Sequence, residues 1–287
     1  MPGMTEHAHD ELTILVLGAT GKTGRRIVER LQARGTPTRI GSRNAQPAFD
    51  WEDRDTWAPA LHGVWALYIT YYPDLAVPGA PDAVGALARL AAEQGVQRLV
   101  LLSGRGEEEA QRSEEALRRS GAAWTVVRSS WFSQNFSEAQ FREPLLDGEL
   151  ALPAGDVGEP FADADDIADV AVAALTEDGH EGEVYEVTGP RLLTFAQAVD
   201  EIARATGREL RYTRIGLDEF AGGLGQEGVP SEEVVLLRYL FGEVLDGRNA
   251  HVADGVQRAL GRPARDFTEY ARAAAASGAW DPAHARA

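Results

Sequence analysis

The segment from Leu12 to Arg34 constrains this chain more than any other. Leu12-Thr13-Ile14-Leu15-Val16-Leu17 is an apolar run of strand length, and Gly18-Ala19-Thr20-Gly21-Lys22-Thr23-Gly24 breaks it with three glycines. Arg25 to Arg34 follows, with Ile27, Val28 and Leu31 on one helical face. An unalternated apolar run marks a strand covered on both faces, as in a parallel sheet flanked by helices. Further strands are predicted at 36–41, 64–70, 96–102 and 124–128, with helices at 81–94 and 107–120 between them. Such alternation predicts an α/β fold with a Rossmann-type doubly wound parallel sheet. Beyond residue 130 the pattern loosens. Residues 132–152 read as aromatic-rich and irregular, 164–175 as a helix and 183–188 as one more strand. Helices are expected at 195–206 and 231–245, with 222–228 a glycine-rich connection. The expected division is a ligand-binding core over 1–130 and, over 131–287, a segment that completes the sheet and forms a smaller lobe.

Charge and composition exclude several classes. The chain of 287 residues has a formal net charge of −17 and no cysteine. Phosphate-rich nucleic acid recruits clustered Lys and Arg, so no nucleic-acid partner is expected. Without cysteine there is no disulfide framework, thiolate metal site or thiol nucleophile. Residues 1–11 are polar and acidic and no long apolar span occurs, so no membrane association and a cytoplasmic location are expected. Residues 1–50, in contrast, carry seven basic and five acidic side chains, a positive island that suits a small anionic ligand. Lys22 is the only lysine, beside 27 arginines.

The glycine loop is the natural place for that anion. Glycines between a buried strand and a helix permit a tight turn and bring backbone N–H groups against a pyrophosphate at the helix N-terminus. Lys22, Arg25 and Arg26 crowd that positive helix end, where cations are disfavoured by ~0.3–1 kcal/mol each unless an anion binds. The loop therefore predicts dinucleotide contacts from Gly18, Thr20, Gly21, Lys22, Thr23 and Gly24. About 20 residues further on, an NAD site would place an acid on the ribose hydroxyl. This chain has Gly41-Ser42-Arg43-Asn44 instead. Ser42 and Arg43 suit a 2′-phosphate, so the expected cofactor is NADP(H).

The G-x-x-G-x-x-G spacing resembles the NmrA-like group of atypical short-chain dehydrogenases/reductases. Arg128 to Phe136 (R-S-S-W-F-S-Q-N-F) resembles that family's R-P-x-x-F-x-E-N-F, and Phe161 to Ala168 its F-x-x-x-D-D-I-A. Residues 49–57, 185–193 and 267–280 are closer still to bacterial relatives of the ergot-alkaloid agroclavine dehydrogenases. The resemblance spans roughly residues 12–280 and implies an NADP-dependent oxidoreductase. It assigns Phe49-Asp50-Trp51, at the end of a third strand, to the adenine side. Asp50, Trp51, Thr70 and Tyr71 join the expected cofactor contacts, and Leu101-Leu102-Ser103-Gly104 ends the strand bordering the nicotinamide. Ser129 and Gln134 depart from the family's proline and glutamate.

Ordinary members of the superfamily use a Tyr-x-x-x-Lys pair, which this chain cannot form. Its one lysine lies in the glycine loop, and the helix expected at 107–120 has no tyrosine. Alcohol–ketone chemistry, which needs a tuned proton donor, is therefore disfavoured. A quinone or aromatic polycycle delocalises the charge left by hydride, and an iminium needs no acid. The expectation is reduction of a planar conjugated acceptor, in secondary metabolism. Iminium reduction of the agroclavine-dehydrogenase type stands as the alternative, beside an NADP-sensing regulator without turnover. Ser103 is the expected catalytic hydroxyl, and Tyr72, Trp131, Phe132, Asn135 and Phe136 the substrate contacts. For Tyr68, Tyr71 and these aromatics, plain core packing stays an open reading. The six histidines (His7, His9, His62, His180, His251 and His284) share no metal spacing, and no metal is expected. Asp163, Asp165 and Asp166 read as a helix cap, and the glutamates of 107–109 and 114–115 as a solvated face.

Overall fold

The structure is a computed structural model that describes residues 12–282; the expectations for residues 1–11, with His7 and His9, and for His284 lie outside them. The first elements alternate: β1 Ile14–Leu17, α1 Lys22–Ala33, β2 Thr38–Gly41, α2 Trp57–Leu61, β3 Ala66–Ile69, α3 Ala80–Glu93 and β4 Arg98–Gly104. They continue with α4 Glu108–Arg118, β5 Ala123–Ser129, α5 Asn135–Glu138, α6 Arg142–Asp147, β6 Glu149–Leu152, α7 Ala164–Thr176 and β7 Val184–Val187. The last are α8 Phe195–Thr206, β8 Arg211–Arg214, α9 Leu217–Gln226, α10 Ser231–Tyr239, α11 Gly255–Leu260 and α12 Phe267–Ala276.

Six strands form one parallel sheet in the order β2-β1-β3-β4-β5-β7. All four residues of β1 and of β3 are buried, as strands covered on both faces must be. From β1 the chain steps to β2 on one side and to β3 on the other, so strand order reverses between β1 and β3. Loops leaving the carboxyl ends of strands at such a reversal diverge and leave a crevice. Gly18 and Thr70, which follow β1 and β3, stand at that place.

The chain divides into two compact units, Met1–Arg128 with Ile167–Tyr185, and Ser129–Asp166 with Glu186–Ala287. In the first, Ile27, Val28 and Leu31 seal α1 while Leu67, Ile69, Val84, Leu87 and Leu101 fill the centre. The second has an aromatic centre, in which Phe136, Phe141, Phe161, Phe195 and Phe267 meet through edge and tilted ring contacts. The strands β6 and β8 pair in parallel there as a separate two-stranded ribbon.

Several expectations are corrected. Residues 49–51 form no strand; Phe49, Trp51 and Trp57 instead cluster as packed rings. The glycine-rich stretch at 222–228 lies largely within α9, since Gly222, Gly223 and Gly225 do not outweigh the apolar face of Leu217, Phe220 and Leu224 that packs on the second unit's core. Residues 132–152 hold two short helices and β6. The glutamate face is also only partly solvated: Glu108 is exposed, whereas Glu114 is completely buried.

Candidate active site

The glycine turn is built so that its three glycines do different things. Gly18 takes a left-handed φ of 62°, which a side chain strains, and a Cβ there would fall 2.4 Å from Cγ2 of Thr70. At Gly24 a Cβ would meet the Gly18 carbonyl oxygen at 2.2 Å, so this glycine lets α1 pass close to the turn. Gly21 is exposed, and its Cβ would have one neighbour, the Gly18 oxygen at 3.2 Å. Its N–H donates to that oxygen at 2.9 Å. Helix α1 then begins with no side-chain cap and no acid in its first turn. Gly18, Thr20 and Gly21 are exposed along this end, and Lys22 is half-buried. An anion meets here the unsatisfied amides and positive pole of a helix. Thr23 is different: it is buried, and its Oγ1 accepts from the Tyr68 hydroxyl at 2.9 Å. Thr23 and Gly24 thus serve packing. Tyr68 faces the core, not a ligand, and burial pushes its phenol well up.

Beyond β2, Ser42 is half-buried and Arg43 exposed. The ring of Trp51 lies 4.8 Å from that of Tyr71, and its indole N–H donates to the Thr70 carbonyl at 3.2 Å. The Asp50 carbonyl receives the Trp57 indole, and the Asp50 carboxylate receives the Glu52 N–H. The fold therefore brings Asp50, Trp51, Thr70 and Tyr71 to the carboxyl end of β3. Tyr72, next along, is 79% exposed.

Ser103 is buried, and its hydroxyl donates to Oε1 of Glu114 at 2.7 Å. The same carboxylate receives Nε and Nη2 of Arg128 at 2.8 and 2.5 Å, closing a link between β4, α4 and β5. The serine proton is committed, so this arrangement corrects the expectation that Ser103 donates to an acceptor. Two acids that no motif marked stand beyond the strand ends instead. Asp74 lies after β3 and Glu107 after β4; burial raises both carboxyls, the Asp74 charge adds to the rise at Glu107, and Lys22 opposes the rise at Asp74.

In the second unit, Trp131 is half-buried, with its ring 4.9 Å from Phe241 and 5.6 Å from Phe195. Phe132 and Asn135 are half-buried, whereas Phe136 is fully enclosed, its carbonyl receiving the Trp280 indole at 2.7 Å. Phe136 is core, which corrects its expected substrate contact. Gln134 bridges Asp163 and the Ala164 N–H, at 2.8 Å each, so together with Asp163, which receives the Asp165 N–H, it caps α7. A cavity of about 480 Å³ is lined by Pro153, Arg214, Leu217 and Phe241. A larger one of about 710 Å³ adjoins Trp65, Arg98 and Ala123, at the opposite, amino ends of the first unit's strands. Among the described residues, no helix is long and apolar enough to cross a membrane.

A doubly wound sheet with a glycine turn at its reversal defines a dinucleotide-binding protein of Rossmann type. Residues 18–178 match the family described as NAD(P)H-binding, and the chain belongs to it. It is 33% identical to an NAD(P)H azoreductase of Xenophilus azovorans, over 92% of this chain and 98% of that one. Identity to festuclavine synthase II of Penicillium roqueforti is 30%, over 91% and 97%. Among solved structures, the Escherichia coli NADPH-dependent quinone oxidoreductase complexed with NADPH superposes with a TM-score of 0.76 at 23% identity, over 90% of this chain and 98% of that one. The protein is an NAD(P)H-dependent oxidoreductase.

Proposed function

We propose that this protein uses NADPH to reduce a planar conjugated small molecule, a quinone or aromatic polycycle of secondary metabolism. The observation that carries the reading is that Lys22, the only lysine, stands at the start of α1. A tyrosine–lysine pair is therefore unavailable, and an acceptor whose reduced form delocalises charge makes the least demand on any other proton donor. Identity to an azoreductase along nearly the whole chain supports a conjugated acceptor.

NADPH supplies the hydride when bound; the rest is the work of this chain. The amides around Gly18, Thr20 and Gly21 hold the pyrophosphate, and Ser42 and Arg43 the 2′-phosphate. Arg43 fits that task, because it is exposed and its guanidinium has no ion-pair partner among the described residues. Asp50, Trp51, Thr70 and Tyr71 flank the cofactor. Tyr72 in the first unit is proposed as an acceptor contact, and so, in the second, are Trp131, Phe132 and Asn135, which are half-buried.

Turnover of C4-deuterated NADPH with quinones, an azo compound, an iminium ion and simple ketones tests the reading. Quinone or azo reduction with deuterium transfer is expected, and turnover confined to simple ketones would refute it. The similarity to festuclavine synthase II favours an iminium acceptor as the second reading, which a deuterated amine product would promote. Tight NADPH binding without any turnover would mark a redox sensor.

A further inference from the structure

We propose that Glu107 is the acid that delivers a proton to the reduced acceptor, and that Asp74 is its positioning partner. The proposal rests on the reductase reading above, in which the superfamily's usual proton donor is missing.

Placement is the first argument. Strands β3 and β4 run parallel with Ile69 opposite Leu101, so the segments leaving them emerge at one edge of the sheet. That edge also carries Gly18 and Thr70. Asp74 and Glu107 lie a few residues beyond the two strand ends, and the charge of Lys22, the first residue of α1, acts on Asp74.

The second argument is the shape around Glu107. Its carboxyl folds back onto Gly104, where a Cβ would lie 2.2 to 2.3 Å from Cδ, Oε1 and Oε2. That space exists only because position 104 is glycine. Glu107 sits at the N-cap of α4, and its side chain makes no cap bond. Among the described residues its carboxyl has no hydrogen-bond or ion-pair partner, and the Asp74 charge is what acts on it. Asp74 is anchored by accepting the Ala76 N–H at 2.9 Å. Neighbouring charges are occupied elsewhere: Arg105 is buried and engaged, and Glu108 pairs with Arg112.

Burial, and after it the Asp74 charge, raise the Glu107 carboxyl well above its ordinary value and favour its acid form, since two close carboxyls cannot both ionise cheaply. A carboxyl raised in this way, lying against Gly104 just beyond β4, is placed to give a proton at the strand ends. For a quinone, hydride from NADPH leaves the hydroquinone monoanion and NADP⁺. The O–H bond of Glu107 then breaks as a new O–H bond forms on the acceptor oxygen, and water reprotonates the carboxylate. The net reaction is quinone plus NADPH plus H⁺ to hydroquinone plus NADP⁺.

The test uses the full chain and quinones whose hydroquinone anions differ in basicity. Glu107→Gln should lower kcat ~100-fold for the most basic anion, a usual general-acid contribution, and progressively less for weaker ones. NADPH affinity should not change. Gly104→Ala should displace the flexible carboxyl and lower kcat in the same order, with an unchanged Tm, which covers the case of a Glu107→Gln chain that fails to fold. Asp74→Asn removes the charge that favours the acid form, so the basic limb of the kcat profile should move to lower pH. Infrared spectra at neutral pH should show a protonated-carboxyl band that Glu107→Gln removes. A persisting band, or an unchanged kcat and pH profile in Glu107→Gln, would overturn this assignment and leave the reductase reading standing. A wild type inert toward every acceptor would overturn both.

Discussion

A side chain on Gly18 would collide with Thr70, its Cβ falling 2.4 Å from the threonine Cγ2. The ends of β1 and β3 are thus pressed together where strand order reverses, with no room for a side chain between them. The cofactor loop is shaped first by this packing.

The glycines of the loop should separate by experiment. Gly24→Ala puts a methyl against backbone, and should cost about 1–3 kcal/mol in urea unfolding as overpacking does. Gly21→Ala meets only one oxygen at 3.2 Å, so the fold should survive while NADPH affinity falls at least ~10-fold. Retained NADPH affinity in a folded Gly21→Ala chain would show that the loop has another use.

Arg43→Ala should weaken NADPH binding by ~1.5–3 kcal/mol, the worth of a charged hydrogen bond, and leave NADH binding alone. Calorimetry with both cofactors reads this directly. Equal wild-type affinities would contradict the 2′-phosphate assignment.

Glu114→Gln breaks a buried ion pair with Arg128, and a loss of ~3–5 kcal/mol in stability is expected. Ser103→Ala removes one hydrogen bond to that carboxylate and should cost ~1–2 kcal/mol with little change in kcat. A large kcat loss at full stability would return Ser103 to the chemistry.

Trp131→Ala loses edge and tilted contacts with Phe195 and Phe241. Part-buried truncation of this size should cost ~2–4 kcal/mol, and the KM for a flat acceptor should rise more than kcat falls. An unchanged KM would remove Trp131 from the acceptor site.

Acid stability should depend on Arg191 and Asp266. The guanidinium binds both carboxylate oxygens at 2.7 and 2.8 Å and holds Asp266 well below the usual carboxylate range. A depressed folded-state value contributes stability above the unfolded value of ~3.9, which is lost as pH falls through the folded one. Because the pair is partly exposed, water screens the gain and the effect should be modest. Thermal unfolding followed from neutral pH down past the ordinary carboxylate range should show Arg191→Ala less stable at the upper end, with the difference shrinking toward the lower. A difference that stays constant with pH would exclude the pair as its cause.

How far the sequence reaches is clearest in particular elements. Residues 195–206 are read with the bounds of α8, because Thr194 and Gln197 form a capping box and the apolar residues recur on one face. Strand β1 and the turn after it are equally local signals. The glycine turn points to a dinucleotide from local sequence alone, the family resemblance adds Asp50 and Trp51, and a place at a predicted strand end adds Tyr71. What local pattern could not supply is which way a side chain faces. Tyr68 and Tyr71 both looked like ligand aromatics, yet Tyr68 points to Thr23 in the core while Tyr71 packs on Trp51. Tyr68 lies within β3, whose residues are all buried, whereas Tyr71 follows the end of that strand.

By itself, then, the sequence determined the strand–turn–helix order, the anion-binding loop, and the absence of a tyrosine–lysine pair, all of which are properties of neighbouring residues. The tertiary structure decided that Ser103 belongs to Glu114 and that Phe136 belongs to the core. These relationships join residues far apart in the chain, and the burial and charge interactions that make them exist only once the sheet has brought its strand ends together.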